Sequence, residues 1–431
     1  MDKIKLQISK LTILAVIFVV LAATAAHASD WTQFRGERAT GIATDAKLPA
    51  TFSETENLVW KTPLPGFGAS SPIICNGKIF LTAYSGYGTG DEDATIDSLR
   101  LHVLCYDLTT GKEAWTQEIK PRLPESPYSG FITHHGYASS TPVTDGELLY
   151  TFFGKSGVYA WTFDGKQVWH TNETGEGLQK LNWGTGTSPI LADNLLIVNA
   201  SVESSKVLAL DKKTGKVVWS YGPVPMSWSS PTLATLKNGS KQVLVTMKNK
   251  MVGLELATGK ELWNCALGDD YVCPTPIQLG DENFAMGMVT RNGYTMVVKL
   301  DGSGDVTKTG ILWDLQATTH EATPIYLDGR IYWVTAKGIA QCFDAKTGEE
   351  LYKERLFKKR TMIYGSPVLA DGKIFITDRK GITMVYATGP DFKELGSNQF
   401  TSDESTFNAT AAVAGTKMVL RSNQFLYCIG K

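Results

Sequence analysis

Ser188-Pro189-Ile190-Leu191 opens a stretch that continues through Leu195–Val198 and Val207-Leu208-Ala209-Leu210. It then turns at Asp211-Lys212-Lys213-Thr214-Gly215-Lys216 and reaches Trp219. A small residue and a proline lead into a short apolar strand, two more apolar strands follow, and a tight turn precedes a strand carrying tryptophan. Gly215 supplies the positive φ that a tight hairpin needs. Asp211, four residues earlier, is placed to accept backbone N–H groups of the turn.

The same pattern recurs outward in both directions. Proline anchors stand at Pro72, Pro142, Pro189, Pro231, Pro276, Pro324 and Pro367, and Thr410-Ala411-Ala412-Val413 is a copy without the proline. From Pro142 onward the spacing is about 42 to 48 residues, the period of a four-stranded propeller blade. The turns agree. Gly111, Gly165, Gly215, Gly259 and Gly348 each stand four residues before Trp115, Trp169, Trp219, Trp263 and Tyr352. Val59-Trp60-Lys61 is a tryptophan strand with no first three strands, and the last copy ends at Leu426-Tyr427-Cys428-Ile429 without a tryptophan strand. The expectation is an all-β, eight-bladed propeller of four-stranded antiparallel blades, closed by the early strand completing the last blade. Closure removes the open sheet edges that invite aggregation.

The rest of the 431 residues bounds the setting. Lys3, Lys5 and Lys10 precede an apolar run from Leu11 to Ala23, and Ala26-His27-Ala28 offers small residues at a cleavage site. Residues 1–28 therefore read as a signal peptide and 29–431 as the propeller domain, exported to the periplasm or beyond the cell. No later segment is apolar enough to span a membrane. A formal charge of −1 argues against a nucleic-acid partner. Export permits disulfides, yet Cys105, Cys342 and Cys428 occupy a third-strand slot that Ala209 and Gly253 fill elsewhere, so the six cysteines are expected to be free, small and buried.

The anchor-to-turn pattern resembles the PQQ-type repeat and covers nearly the whole mature chain. Two branches share that repeat: quinoprotein dehydrogenases, which oxidise alcohols or sugars with pyrroloquinoline quinone (PQQ) and calcium, and non-enzymatic propellers such as the lipoprotein of the outer-membrane β-barrel assembly machinery. The lead-in Trp31-Thr32-Gln33-Phe34-Arg35-Gly36 is similar to that of secreted PQQ-like propellers. The dehydrogenases carry adjacent cysteines beside the cofactor, and this chain has none. The lipoprotein carries a lipid-bearing cysteine at its mature start, where Ser29 stands here. The resemblance implies the fold and leaves two functions open. One is a non-catalytic propeller binding a protein, peptide or carbohydrate; the alternative is a PQQ-dependent oxidoreductase. Hydrolase, phosphate-loop and EF-hand motifs are absent, and no metal site is expected.

In a blade meander, the loops approaching each first strand and those joining strands two and three emerge on one face, with the Thr-Gly-Lys turns on the other. The approach loops carry Tyr137, Trp183, Trp228, Tyr271, His320 and Tyr364, alongside His134, His135, Glu321, Arg360 and Asn408. The rings offer either a binding surface or a plug for the channel. The other loops of that face add Lys155, Lys248, Arg291, Lys337, Arg379 and Arg421, a bias towards an anionic ligand. The expected ligand-binding face is Tyr137, Trp183, Trp228, Tyr271, His320 and Tyr364, with Lys155, Arg291, Lys337 and Arg379 around them.

Overall fold

The computed structural model describes residues 30–178, 182–359 and 361–430; the expected signal peptide and Arg360 lie outside the described residues. Eight antiparallel sheets follow in chain order. They span 73–119 (blade I), 143–171 (II), 190–221 (III), 232–266 (IV), 277–315 (V), 325–355 (VI), 368–398 (VII) and 412–430 (VIII). Leu58–Pro63 is the fourth strand of blade VIII, with Trp60 opposite Cys428 and Lys61 opposite Tyr427. The expected eight blades and closure are therefore present. Two blades carry an extra short parallel strand: Gly304–Asp305 outside blade IV and Ile42–Ala43 inside blade VII. Neither segment has the repeat's spacing.

Inner strands such as Leu196–Val198 are buried on both faces because each blade packs between two others, and core clusters join neighbouring blades. The periodic turn residues dock blade to blade. Trp60, Trp115, Trp169, Trp219 and Trp313 lie over Gly111, Gly165, Gly215, Gly259 and Gly348 of the next blade, where an added Cβ would stand 2.5–2.9 Å from the indole. Each indole N–H also donates to a carbonyl of that neighbour, as Trp169 does to Lys212 at 3.0 Å. Glycine is required twice over, for its positive φ and for the ring above it. The turn carboxylate acts as expected, with Asp211 accepting the Thr214 N–H at 2.9 Å. Cys105 and Cys342 stand opposite Trp115 and Tyr352, as Ala209 stands opposite Trp219, and all six cysteines are free.

A second ring runs at the inner radius. The residue before each anchor proline, or its equivalent, is serine or threonine. The N–H of Ser71 donates to the Thr141 hydroxyl, Thr141 to Ser188 and Ser188 to Ser230, all at 2.9–3.0 Å. Thr275 donates to Thr323, Thr323 to Ser366, Ser366 to Thr410 and Thr410 back to Ser71, again at 2.9–3.0 Å. Among the described residues no such bond joins Ser230 to Thr275. There Ser229 and Thr232 donate instead to the carbonyls of Pro274 and Pro276. The outer docking departs at the same seam: Trp263 donates to Gln242 of its own blade, and Gly304–Asp305 runs beside it.

The lead-in closes the channel from below. Trp31 bridges to Ile74, and the Thr32 carbonyl accepts the Thr144 N–H. Arg35 is fully buried and donates to the carbonyls of Ala39, Thr40, Thr323 and Pro324. The channel is thus a blind pit opening on the approach-loop face.

Thr141→Val and Thr410→Val keep shape but remove the acceptor for a buried N–H, and each should cost about 1–3 kcal/mol in urea unfolding. Thr275→Val, at the seam, should cost less than either. An equal loss at Thr275 would show that the ring bonds are not what is being measured.

Candidate binding site at the channel mouth

Above the hydroxyl ring the approach loops enclose a cavity of about 190 Å3. Its lower lining is the ring itself, from Ser71 round to Thr410, together with Phe34 of the lead-in. Its walls are aromatic. Trp183 lies 4.8 Å from Trp228 and 4.8 Å from Tyr271, ring centre to ring centre, and 4.7 Å from Phe131. Trp228 is held in place by its indole N–H, which donates to the Gly184 carbonyl at 2.8 Å. Trp228 and Tyr271 are buried; Trp183 and Tyr364 are half-buried, and Phe131 is 43% exposed at the rim.

Four of the expected site residues, Trp183, Trp228, Tyr271 and Tyr364, thus share one cavity. Arg379 sits beside it, its guanidinium 4.6 Å from the Tyr364 ring centre and 3.1 Å from His134 Nδ1. The other five do not line the cavity. Tyr137 belongs to a cluster with Tyr84, Tyr87 and Tyr128 that ties together two insertions, residues 85–100 within blade I and 121–137 before blade II, and its hydroxyl donates to the Ser126 carbonyl at 2.7 Å. Lys155 is buried in a single helical turn and donates to the Pro124 carbonyl at 2.6 Å, so its charge faces the insertion and not the mouth. Arg291 and Lys337 are exposed outside the cavity. His320 has a φ of 77° and shapes the loop, while its neighbour Glu321 reaches the lining.

Among the described residues, Glu321 is the only Asp, Glu, Lys or Arg in the lining. Its Oε2 is buried with no hydrogen-bond partner among the described residues, and burial pushes the carboxyl up to about 7. His135 is fixed by two bonds, Nδ1 to Ser139 Oγ at 2.5 Å and Nε2 to the Trp183 carbonyl at 2.7 Å. A carbonyl only accepts, so Nε2 carries the proton and Nδ1 accepts from Ser139. Burial brings this imidazole down to about 4. With both nitrogens engaged and its basicity lowered, His135 is a poor general base for Ser139. The position-specific reading of the sequence passed over Phe131 and the inward role of Glu321. The signal for the cavity lining itself was the hydroxyl residue in every anchor.

A family model for PQQ-type repeats, described as outer membrane protein assembly factor BamB, matches residues 100–354, more than half of the chain. The chain belongs to this family. Two relatives described as outer membrane protein assembly factor BamB align along most of it. That of Yersinia pestis is 20% identical over 369 residues, 80% of this chain and 77% of its own. That of Burkholderia pseudomallei is 22% identical over 322 residues, 73% and 75%. Among solved structures, BamB from Moraxella catarrhalis matches with a TM-score of 0.61 at 12% identity, over 87% of this chain and 99% of that one. Quinohemoprotein alcohol dehydrogenase from Comamonas testosteroni matches with a TM-score of 0.64 at 13% identity, over 95% and 82%. Both structural likenesses carry the PQQ-repeat propeller fold and nothing further.

The cavity's aromatics differ in what they hold up. Trp228→Ala should destabilise the protein by about 3–5 kcal/mol, as removal of a buried ring does, whereas Trp183→Ala should cost roughly 1 kcal/mol. Thermal unfolding of the two variants side by side checks this; equal losses would mean that Trp183 is a plug.

Proposed function

We propose that this member of the PQQ-repeat family is a non-catalytic binding propeller, acting on the outer side of the cytoplasmic membrane, that engages a protein partner through its approach-loop face. The observation that carries the reading is the blind, aromatic-walled pit, open on one side only. Rigid loops on a closed scaffold are where specificity is placed. Its rim is contiguous: Phe131 lies 5.6 Å from His134, His134 contacts Arg379, and the Arg379 N–H donates to the carbonyl of Met362. Phe131 and Met362 are 43% and 46% exposed, large apolar side chains of the kind that anchor interfaces. The matched relatives are described as assembly factors for outer membrane proteins, which accords with a protein partner. No helix among the described residues is long and apolar enough to cross a membrane.

The quinoprotein alternative has less support. Calcium takes six to eight oxygen ligands, carboxylates prominent among them, and the mouth offers one carboxyl. PQQ is anionic and flat, and among the described residues no lysine or arginine lines the cavity. Among the described residues no group of three or more His, Cys, Asp or Glu is placed to hold a metal. The residues at the mouth do not fit this cofactor pair.

A photo-crosslinking residue at Phe131 or at Met362 should capture one and the same polypeptide in intact cells, while the same residue at Lys213, in the turn on the far face, should capture none. Adducts formed only from Lys213 would overturn the face assignment.

A further inference from the structure

We propose that the channel-mouth cavity is a cation site that receives one lysine or arginine side chain of a bound polypeptide, with Glu321 as counter-charge and Trp183, Trp228 and Tyr271 as its aromatic walls. This rests on the binding-face reading above and gives it a chemistry. It also reverses the anionic ligand that the sequence favoured.

Four observations carry it. Glu321 Oε2 is buried and unpartnered, and no salt bridge to Glu321 occurs among the described residues. A buried carboxylate oxygen without a partner is costly, and a ligand cation offsets that cost. No basic group of this face bonds to Glu321: Lys155 is held by Pro124, and Arg379, though it faces the carboxyl, lies over Tyr364 and against His134. Indole and phenol faces attract an ammonium or guanidinium within about 6 Å of the ring centre, and three such rings meet here. Finally, about 190 Å3 is below the roughly 300–1,000 Å3 usual for drug-sized ligands, and it suits one long side chain reaching in from a chain outside.

The backbone points the same way. His320 takes a left-handed φ of 77°, which a side-chain-bearing residue rarely adopts, directly before Glu321. The Thr319 hydroxyl donates to the Ala322 carbonyl at 2.5 Å and closes that turn. Strain of this kind persists where the surroundings hold it, and it clusters at ligand sites.

Binding ionises Glu321, and its proton leaves to solvent. Affinity therefore rises with pH through about 7. Arg379, Tyr271, Cys273 and Tyr364 face Glu321 from the neighbouring loops, with His134 against Arg379, His320 beside Glu321 and Lys337 facing His320. Burial holds His134 and His320 below the ordinary histidine value and pushes Tyr271, Tyr364 and Cys273 upward. Of these groups Glu321 is the one that burial moves up to about 7. Glu125 and Glu203 also rise to about 7, but they lie in a separate small cavity and are retained in the variant used below.

The probes are the tripeptide acetyl-Gly-Lys-Gly-amide, its norleucine counterpart of equal length without the charge, and n-butylammonium, each titrated into the mature chain by ligand-observed NMR. The lysine peptide should bind about tenfold more tightly than the norleucine peptide at pH 8 and lose most of that advantage at pH 6. Glu321→Gln, which keeps shape and removes charge, should abolish both the preference and the pH dependence. Trp183→Leu, which keeps bulk and removes the ring face, should weaken the lysine peptide about fivefold. Equal binding of the two peptides, or an unchanged preference in Glu321→Gln, overturns the cation site and leaves the binding face standing. Binding of n-butylammonium as tight as that of the lysine peptide shows a free amine to be the occupant and overturns the polypeptide assignment. Failure of all three probes to bind also overturns the cation site. The crosslinks from Phe131 and Met362 then decide separately whether the face itself is wrong.

Discussion

Eight blades must each bond to both neighbours, because a ring has no end at which misfit can be absorbed. The hydroxyl ring meets that constraint at the narrowest radius. Each N–H at the top of an inner strand is buried and followed by proline or its equivalent, and its acceptor comes from the next blade rather than from its own sheet. Serine and threonine suit the task because one hydroxyl oxygen accepts that bond while remaining small enough to line a channel. At the widest radius the tryptophan-on-glycine contacts repeat the arrangement with larger groups. The two rings fix the angle between blades, and the approach loops inherit a rigid frame.

One seam departs from the rule at both radii. Between blades IV and V the hydroxyl step is replaced by side chains reaching carbonyls, and Trp263 turns back into its own blade. The cause is visible in the fourth-strand turn of blade V, where Asp301–Gly310 replaces the compact Thr-Gly-Lys turn and leaves no glycine platform for the preceding tryptophan. The extra strand Gly304–Asp305 comes from this longer turn and covers Trp263 instead. A single lengthened turn thus accounts for the outer departure and the fifth strand together.

The fold was legible because its signals are periodic: Gly215 and Trp219 mean little alone and a great deal when five blades repeat them. The closing strand was legible for the same reason, since Trp60 lacked a blade and Tyr427 lacked a tryptophan. The site was legible only in part. Sequence placed Trp183, Trp228, Tyr271 and Tyr364 on one face, where they share a cavity, because meander geometry fixes which loops emerge together. It could not tell that Lys155 bonds to Pro124, or that Tyr137 joins Tyr84, Tyr87 and Tyr128, because Pro124, Tyr87 and Tyr128 come from insertions that obey no repeat. Glu321 was hidden for a different reason. Nothing in Thr318-Thr319-His320-Glu321 announces which neighbour turns inward, and the left-handed φ of His320 is a property of the folded loop.

The charges of this face therefore divide by depth. Lys155 and Arg379 reach carbonyls, of Pro124 and His134, and Arg291 and Lys337 are exposed. The Glu321 carboxyl lies in the wall of an aromatic pit, and its Oε2 finds no hydrogen-bond partner among the described residues. The distinction outweighs the count of positive groups, because a charge in water is screened within about 8–10 Å, whereas a buried one governs what may enter beside it. Arg35, below the ring, makes the comparison within one channel: it too is buried without a carboxylate, yet four carbonyls receive its donors. The lower cation is complete with the chain alone. The upper carboxyl is not, and that asymmetry along a single axis gives the open end of the channel its chemical direction.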